Sequence, residues 1–282
     1  MSAGPGELSG HVALVTGAAG DGIGKATARK LLQLGATVAV TDNHERRTKE
    51  TSAAFAEEFG ARVAGFVLDV GNREQIAAVC DDVEKTLGPV DILVNNAALN
   101  VLVPVSEYRQ EDWDRVMEAD LTGCFVLIRR LLPGMKERRR GSIVNVTSVA
   151  AFIGNAREGP YAAAKAALHS LTRSVAVEGG PFGVRANAVA PGIIESKFVK
   201  TDPARYEAFG QQAPLRRIGR ADEVAEAIAF LASERSSYIT GEVPNVPAPT
   251  SSVSSDPGAS RAARPRRGRR RGRRRRLPGS GR

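Results

Sequence analysis

Cysteine is scarce in this sequence: 282 residues hold two, Cys80 and Cys124. Both fall inside expected helices, which fits small buried thiols in a reducing cytosol better than a disulfide framework. Histidine is scarce as well. His11, His44 and His169 are far apart and show no ligand spacing with one another or with the cysteines, so they read as ordinary helix or loop residues and no metal site is expected. Long apolar runs are missing: none approaches the ~20 residues that a membrane-spanning helix needs. The start, MSAGPGELSG, lacks the charged beginning and apolar centre of a signal peptide. A cytoplasmic protein without a membrane span is expected. The sequence also has no Ser-His-Asp arrangement, no phosphate loop ending in Gly-Lys-Ser/Thr and no internal repeat.

A positive excess is missing from the body of the chain. The net charge of +9 would suggest a nucleic-acid partner, yet from Thr250 onward there are twelve Arg against one Asp, leaving 28 basic and 30 acidic side chains in residues 1–249. With 42% hydrophobic content, that body can bury one large α/β core. Residues 1–249 read as a single domain and 250–282 as a tail. The tail is rich in Ser, Pro, Gly and Arg, a composition that cannot offset its own ordering entropy, so it is expected to be disordered. Nucleic acid would be contacted through this tail alone.

The body alternates apolar runs with segments of helical period. His11 to Thr16 is a β-rich run, followed by the glycine-rich turn GAAGDGIG and a helix from Lys25 to Leu34. Gly17, Gly22 and Gly24 allow backbone amides to approach a pyrophosphate at the positive end of that helix. A second strand, Thr37 to Thr41, ends at Asp42, where a carboxylate can accept both ribose hydroxyls of an adenosine and repel a 2′-phosphate. This argues for NAD over NADP, against which Arg46 and Arg47 stand as groups able to face a phosphate. Strands at Val63 to Leu68 and Val90 to Val94 flank a helix from Asn72 to Leu87. Gly141 to Glu178 then holds a buried strand, Ser142 to Val146, followed by Ser148, Tyr161 and Lys165. Four residues separate Tyr161 from Lys165, so on a helix they share a face. Bringing a phenol from its usual pKa toward neutrality takes about 4 kcal/mol of preferential phenolate stabilisation, which a neighbouring ammonium in a water-poor cleft can largely supply.

Ser148, then Tyr161-x-x-x-Lys165 thirteen residues on, resembles the active-site segment of the short-chain dehydrogenase/reductase family. Other motifs follow in the family's order from about Leu8 to Val243. The loop from Thr16 to Gly24 resembles the family's Thr-Gly-x-x-x-Gly-x-Gly but is one residue longer, which bears on Gly20 and Asp21. Asn95-Asn96-Ala97-Ala98 resembles Asn-Asn-Ala-Gly. The resemblance implies a Rossmann-type, doubly wound parallel sheet of about seven strands. It implies hydride transfer between a nicotinamide cofactor and a ketone or secondary alcohol. Ser148 would hold the carbonyl oxygen, Tyr161 would exchange its proton, and Lys165 would assist Tyr161 and bind the nicotinamide ribose. Asp120 stands where the family has a catalytic Asn; it could hold a relay water and raise the pKa of Lys165, or be a helix-surface carboxylate within the helical segment Glu111 to Phe125. Cofactor contacts are implied for Gly17, Gly22, Ile23, Gly24 and Asp42, for Asp69 and Val70 beside the adenine, for Asn96 and Ala97, and for Pro191, Gly192 and Ile194 at the nicotinamide. Ser196 would be a nearby hydroxyl, and the irregular stretch after Glu195, with Phe198, Tyr206 and Phe209, resembles a lid. A homodimer or homotetramer is implied.

The pattern looks most like the 3-oxoacyl reductase and hydroxysteroid branches, and Val149, Phe152, Ile153, Ile194 and Phe198 would suit a fatty or ring-shaped substrate. The C-terminus departs furthest. Tyr238 to Val243 begins like the family's last strand, but Pro244, Pro247 and Pro249 interrupt it, so that strand should be short or displaced to the sheet edge. The tail reads either as an electrostatic arm for nucleic acid or acidic membranes, or as translation of a frame that is not the family's; the abrupt departure inside an expected strand favours the second. The competing function is a catalytically impaired NAD-binding protein.

Overall fold

The computed structural model describes residues 6–195, 207–208 and 210–246. Ser196, Phe198, Tyr206 and Phe209, the lid they would form, Pro247, Pro249 and the tail 250–282 lie outside the described residues.

Strands β1 (Val12–Val15), β2 (Thr37–Asp42), β3 (Val63–Val67), β4 (Ile92–Asn95), β5 (Gly141–Val146), β6 (Val184–Pro191) and β7 (Asn245–Val246) form one parallel sheet in the order β3-β2-β1-β4-β5-β6-β7. Side chains alternate between its faces, and both faces are covered. Ala13 and Val15 pack with Leu31 and Leu32 of α1 (Ile23–Gln33) and with Val224 and Ile228 of α7 (Ala221–Ala232). Val12 and Leu14 pack on the opposite side, with Ile76 and Val83 of α3 (Arg73–Leu87), Leu127 and Leu131 of α5 (Gly123–Glu137), and Val175 of α6 (Gly159–Gly179). Burial on both faces is why these strands read as continuous apolar runs and not as alternating ones. The chain winds one way from β1 to β3 and the other way from β4 onward. A crevice therefore opens at the carboxyl ends between β1 and β4, the topological switch point.

The expected doubly wound sheet is present, with strand and helix ends shifted by a residue or two. Cys80 and Cys124 are free and buried in α3 and α5. Burial pushes their thiols up to about 12 and about 11, respectively, which leaves them inert at neutral pH. Among the described residues, no helix is long and apolar enough to cross a membrane.

One helix differs from the expectation. Between α4 (Gln110–Met117) and α5, residues Glu118–Thr122 form a π turn. The wider turn rotates its residues relative to a regular helix, and Asp120 is 0% exposed. The surface alternative for this carboxylate is thereby overturned.

The last strand is also not where the sequence motif begins. Tyr238 to Pro244 is outside any strand, and β7 is two residues long, at the sheet edge. Ala188 N–H donates to Glu242 O at 2.9 Å, Ala190 N–H to Pro244 O at 3.0 Å and Gly192 N–H to Val246 O at 2.7 Å. A parallel ladder with those carbonyls in register would also take a donor from position 244, and proline has none. Pro244→Leu is therefore expected to lengthen β7 and to stabilise the fold by about 1 kcal/mol, read as a rise in the denaturant midpoint at unchanged slope. An unchanged or lower midpoint would show that proline is not what shortens the strand.

Candidate active site

The crevice is a cleft of about 830 Å³. Its glycine-loop end is built by three tightly apposed segments. Thr16, at the end of β1, accepts the N–H groups of Asn96 and Ala97 on its Oγ1, at 2.9 and 3.0 Å, while Asn96 Nδ2 donates to the carbonyls of Thr16 and Gly17, at 2.9 and 3.1 Å. Gly17 has φ +62°, the left-handed region that favours glycine. Gly24 opens the first turn of α1, and a Cβ there would lie 2.3 Å from Gly17 O and 2.4 Å from Asn96 Nδ2. A side chain is excluded, so the backbone amides of the helix start stay open to the cleft. Gly22 and Ile23 line it beside them. The extra residue of the loop is accommodated outward: Ala18 and Ala19 are buried, while Asp21 points to solvent and pairs with Lys25 at 3.4 Å. Ala98 in place of glycine introduces no strain, since it is not among the residues with positive φ.

On the β2 side of the cleft, Asp42 is 7% exposed at the end of that strand. Its Oδ1 accepts His44 N–H at 3.0 Å and Arg47 Nη2 at 3.1 Å. His44 in turn caps α2 (Glu45–Phe59) by accepting Arg47 N–H. Arg47 thus lines the cleft with its charge on Asp42, whereas Arg46 pairs with Glu50 on the outside. Asp69 turns back to accept Gly71 N–H at 2.9 Å, and it and Val70 form the neighbouring wall.

At the other end stand the residues of the Ser-Tyr-Lys pattern. Ser148 follows β5 and its Oγ accepts Ala150 N–H at 3.1 Å, fixing a short 3-10 turn. Tyr161 lies in the first turn of α6, and burial pushes its phenol up, while Lys165 and the Ser148 hydroxyl draw it back down. Lys165, 2% exposed, donates to Val146 O at 3.3 Å and stands 3.2 Å from Asp120 Oδ2. Burial disfavours its charge, but Asp120 and Tyr161 more than offset this and raise its pKa. Asp120 Oδ1 accepts Leu99 N–H at 2.7 Å. Burial pushes the Asp120 carboxyl up, with Lys165 opposing. His169, one turn beyond Lys165, is buried with its Nε2 2.9 Å from Thr147 Oγ1.

Pro191 and Gly192 close the floor, and their position depends on β7, because Pro191 pairs with Val246 and Gly192 N–H donates to its carbonyl. Ile194 lines the cleft and is bridged to Gly219. The other apolar candidates are placed differently. Val149 is buried and Phe152 is exposed, its ring tilted by 40° against that of His169 at a centroid distance of 4.7 Å. The cleft therefore brings together every catalytic and cofactor residue expected from the sequence except Asp120, which lies behind Lys165; of the apolar substrate candidates it takes in Ile194. Thr16, as the bridge between β1 and β4, and Arg47, as the partner of Asp42, were not singled out for these roles. Their signal was adjacency to the glycine loop and to the second strand's acidic end. Among the described residues, no group of three or more His, Cys, Asp or Glu could hold a metal ion.

A dinucleotide fits these residues: the glycine-only approach at Gly24, the helix amides beside it and a carboxylate at the ribose position of β2 are what its pyrophosphate and adenosine require. Comparison with known proteins points the same way. Residues 17–247 match the family described as enoyl-(acyl carrier protein) reductase. A (5R,7aS)-5-hydroxy-7a-methyl-1-oxo-2,3,5,6,7,7a-hexahydro-1H-indene-carboxyl-CoA reductase of Mycobacterium tuberculosis is 44% identical, over 86% of this chain and 94% of that one. A 3-oxoacyl-[acyl-carrier-protein] reductase of Thermotoga maritima is 40% identical, over 84% and 96%. A gluconate 5-dehydrogenase of Burkholderia cenocepacia, solved with NADP and tartrate, superposes with a TM-score of 0.80 at 32% identity, over 85% and 94%. With the sheet order, the cleft and these relatives in agreement, the chain belongs to the short-chain dehydrogenase/reductase family, an oxidoreductase that transfers hydride between a nicotinamide cofactor and a ketone or alcohol carbon.

Proposed function

We propose that Ser148, Tyr161 and Lys165 are the catalytic residues, and that the substrate is a 3-oxoacyl thioester or a comparable ketone on a fused-ring acid. The observation that carries this is Tyr161 half-buried at the cleft wall with Ser148 and Lys165 as its polar neighbours. A bound nicotinamide cofactor supplies or accepts the hydride. Ser148 holds the carbonyl oxygen by hydrogen bonding, and Tyr161 gives its proton to that oxygen in reduction or removes it in oxidation. Lys165 stabilises the phenolate and reaches the nicotinamide ribose, while Asp120 fixes Lys165 from behind. Pro191, Gly192 and Ile194 offer backbone groups to the carboxamide. The relatives' names support the substrate class, since two of them act on acyl thioesters. The intact hydrogen bond from Gly192 to β7 supports catalysis over a binding protein that has lost activity. A screen of 3-oxoacyl thioesters and secondary alcohols, followed by nicotinamide absorbance, tests the assignment. Cofactor binding without turnover on any of them would sink it.

The remaining cofactor contacts are Gly17, Gly22, Ile23, Gly24, Asp42, Asp69, Val70, Asn96 and Ala97, and the preferred cofactor is NADH. On this reading Asp42 meets the adenosine ribose, and because it holds the Arg47 charge on itself, a 2′-phosphate would meet a carboxylate before it met a free guanidinium. Asp42→Ala is expected to shift the NADPH-to-NADH affinity ratio toward NADPH by at least about tenfold, or ~1.4 kcal/mol, in competing titrations. If the unaltered enzyme binds NADPH more tightly, Arg47 and not Asp42 sets the choice. We assign residues 1–249 to one catalytic domain that works as a homodimer or homotetramer in the cytoplasm.

A further inference from the structure

Asp120 gives the buried end of this site an unusual charge balance. Its Oδ2 is 3.2 Å from Lys165 Nζ, an ion pair between groups 0% and 2% exposed where water cannot screen it. Lys165 also lies against Tyr161, 5.5 Å from the ring centroid. One ammonium therefore faces two acidic groups.

We propose that Asp120 is a positioning residue that neutralises the Lys165 ammonium and so keeps Tyr161 protonated through neutral pH, setting the site for ketone reduction and confining alcohol oxidation to alkaline solution. This rests on the role of Tyr161 as proton donor. The groups acting on Tyr161 are Lys165 from α6, Asp120 from the π turn, Glu158 just ahead of α6 and the Ser148 hydroxyl after β5. Those acting on Lys165 are Asp120, Tyr161 and Cys124 of α5, together with the Val146 carbonyl of β5. Within this set Lys165 is the single cation, and Asp120 and Glu158 both oppose its pull on the phenol.

The proton balance links this charge to direction. In reduction the Tyr161 O–H bond breaks, its proton goes to the carbonyl oxygen and hydride adds to the carbonyl carbon, so the protonated phenol is the working form. Oxidation runs the same bonds in reverse and needs the phenolate as base. A negative charge beside the phenolate disfavours it, hence removal of that charge moves ionisation of Tyr161 to lower pH.

The test compares the unaltered enzyme with Asp120→Asn and Asp120→Ala. The pH profile of kcat/KM is measured in both directions, and tyrosinate absorbance is titrated in cofactor-free protein. The chain has four tyrosines, so the same titration of Tyr161→Phe is subtracted to isolate the site. Both variants should move the rising limb of oxidation, the alkaline fall of reduction and the Tyr161 absorbance transition to lower pH by about one unit. A merely structural role would lower rates at every pH and leave the limbs and the transition in place. That result, with Tyr161→Phe inactive, would overturn the proposal alone; turnover by Tyr161→Phe would instead remove the proton-donor role on which it stands.

Discussion

Tyr161→Phe is expected to lower turnover in either direction by at least about a hundredfold, the scale of a lost general acid or base, while nucleotide affinity stays near that of the unaltered protein. The substitution removes one oxygen. The ring keeps its place in the first turn of α6 and over Lys165, so the cofactor floor is undisturbed and the loss should appear in kcat rather than KM. Lys165→Ala differs in kind. It removes the ammonium proposed to stabilise the phenolate and also the countercharge of Asp120, which has no exposed surface. An uncompensated buried charge costs about 3–5 kcal/mol, so this variant should lose turnover, nucleotide affinity and stability together. Paired measurements of kcat, nucleotide Kd and denaturant midpoint separate the two. Near-native turnover of Tyr161→Phe at every pH would refute the mechanism.

The parts of this molecule that were legible in its sequence are those set by local spacing. An apolar run of four to eight residues bounded by turn residues identifies a strand buried on both faces, and the order of such runs sufficed for the doubly wound sheet. Ser148, Tyr161 and Lys165 were legible because two of them share a helix face and the third ends a strand. The π turn at Glu118–Thr122 was not, since the apolar positions over fifteen residues are too few to reveal the phase shift of one widened turn. Its consequence, the burial of Asp120 against Lys165, is a tertiary pairing 45 residues apart that neither segment advertises. The choice of Arg47 over Arg46 as the partner of Asp42 depended on the His44 cap, which sets the helix phase at that point. At β7 Pro244 was correctly read as interrupting the strand, but the carbonyl-side ladder that still holds Gly192 was not visible, because proline removes a donor and leaves its acceptor.

Gly24→Val is expected to raise the NADH dissociation constant by about a hundredfold or more, equivalent to ~2.7 kcal/mol, and to destabilise the fold by about 1–3 kcal/mol. The first Cβ would sit 2.3 Å from a backbone carbonyl at Gly17 and 2.4 Å from Asn96 Nδ2. Neither neighbour can swing aside. The carbonyl belongs to the turn that follows β1, and the amide is tied to Thr16 and Gly17 by two hydrogen bonds. The start of α1 must therefore move away from both, and with it the backbone amides and the positive helix end that would receive the pyrophosphate. A comparison at Gly180 isolates this from a general intolerance of side chains: a Cβ there meets nothing within 4 Å and φ is −51°. Gly180→Ala should change stability by less than about 0.5 kcal/mol and leave NADH binding alone. Fluorescence titration of NADH and thermal melts of both variants decide the matter. If Gly24→Val bound NADH and melted like the unaltered protein, the close approach of α1, Gly17 and Asn96 would not be what shapes the cofactor site.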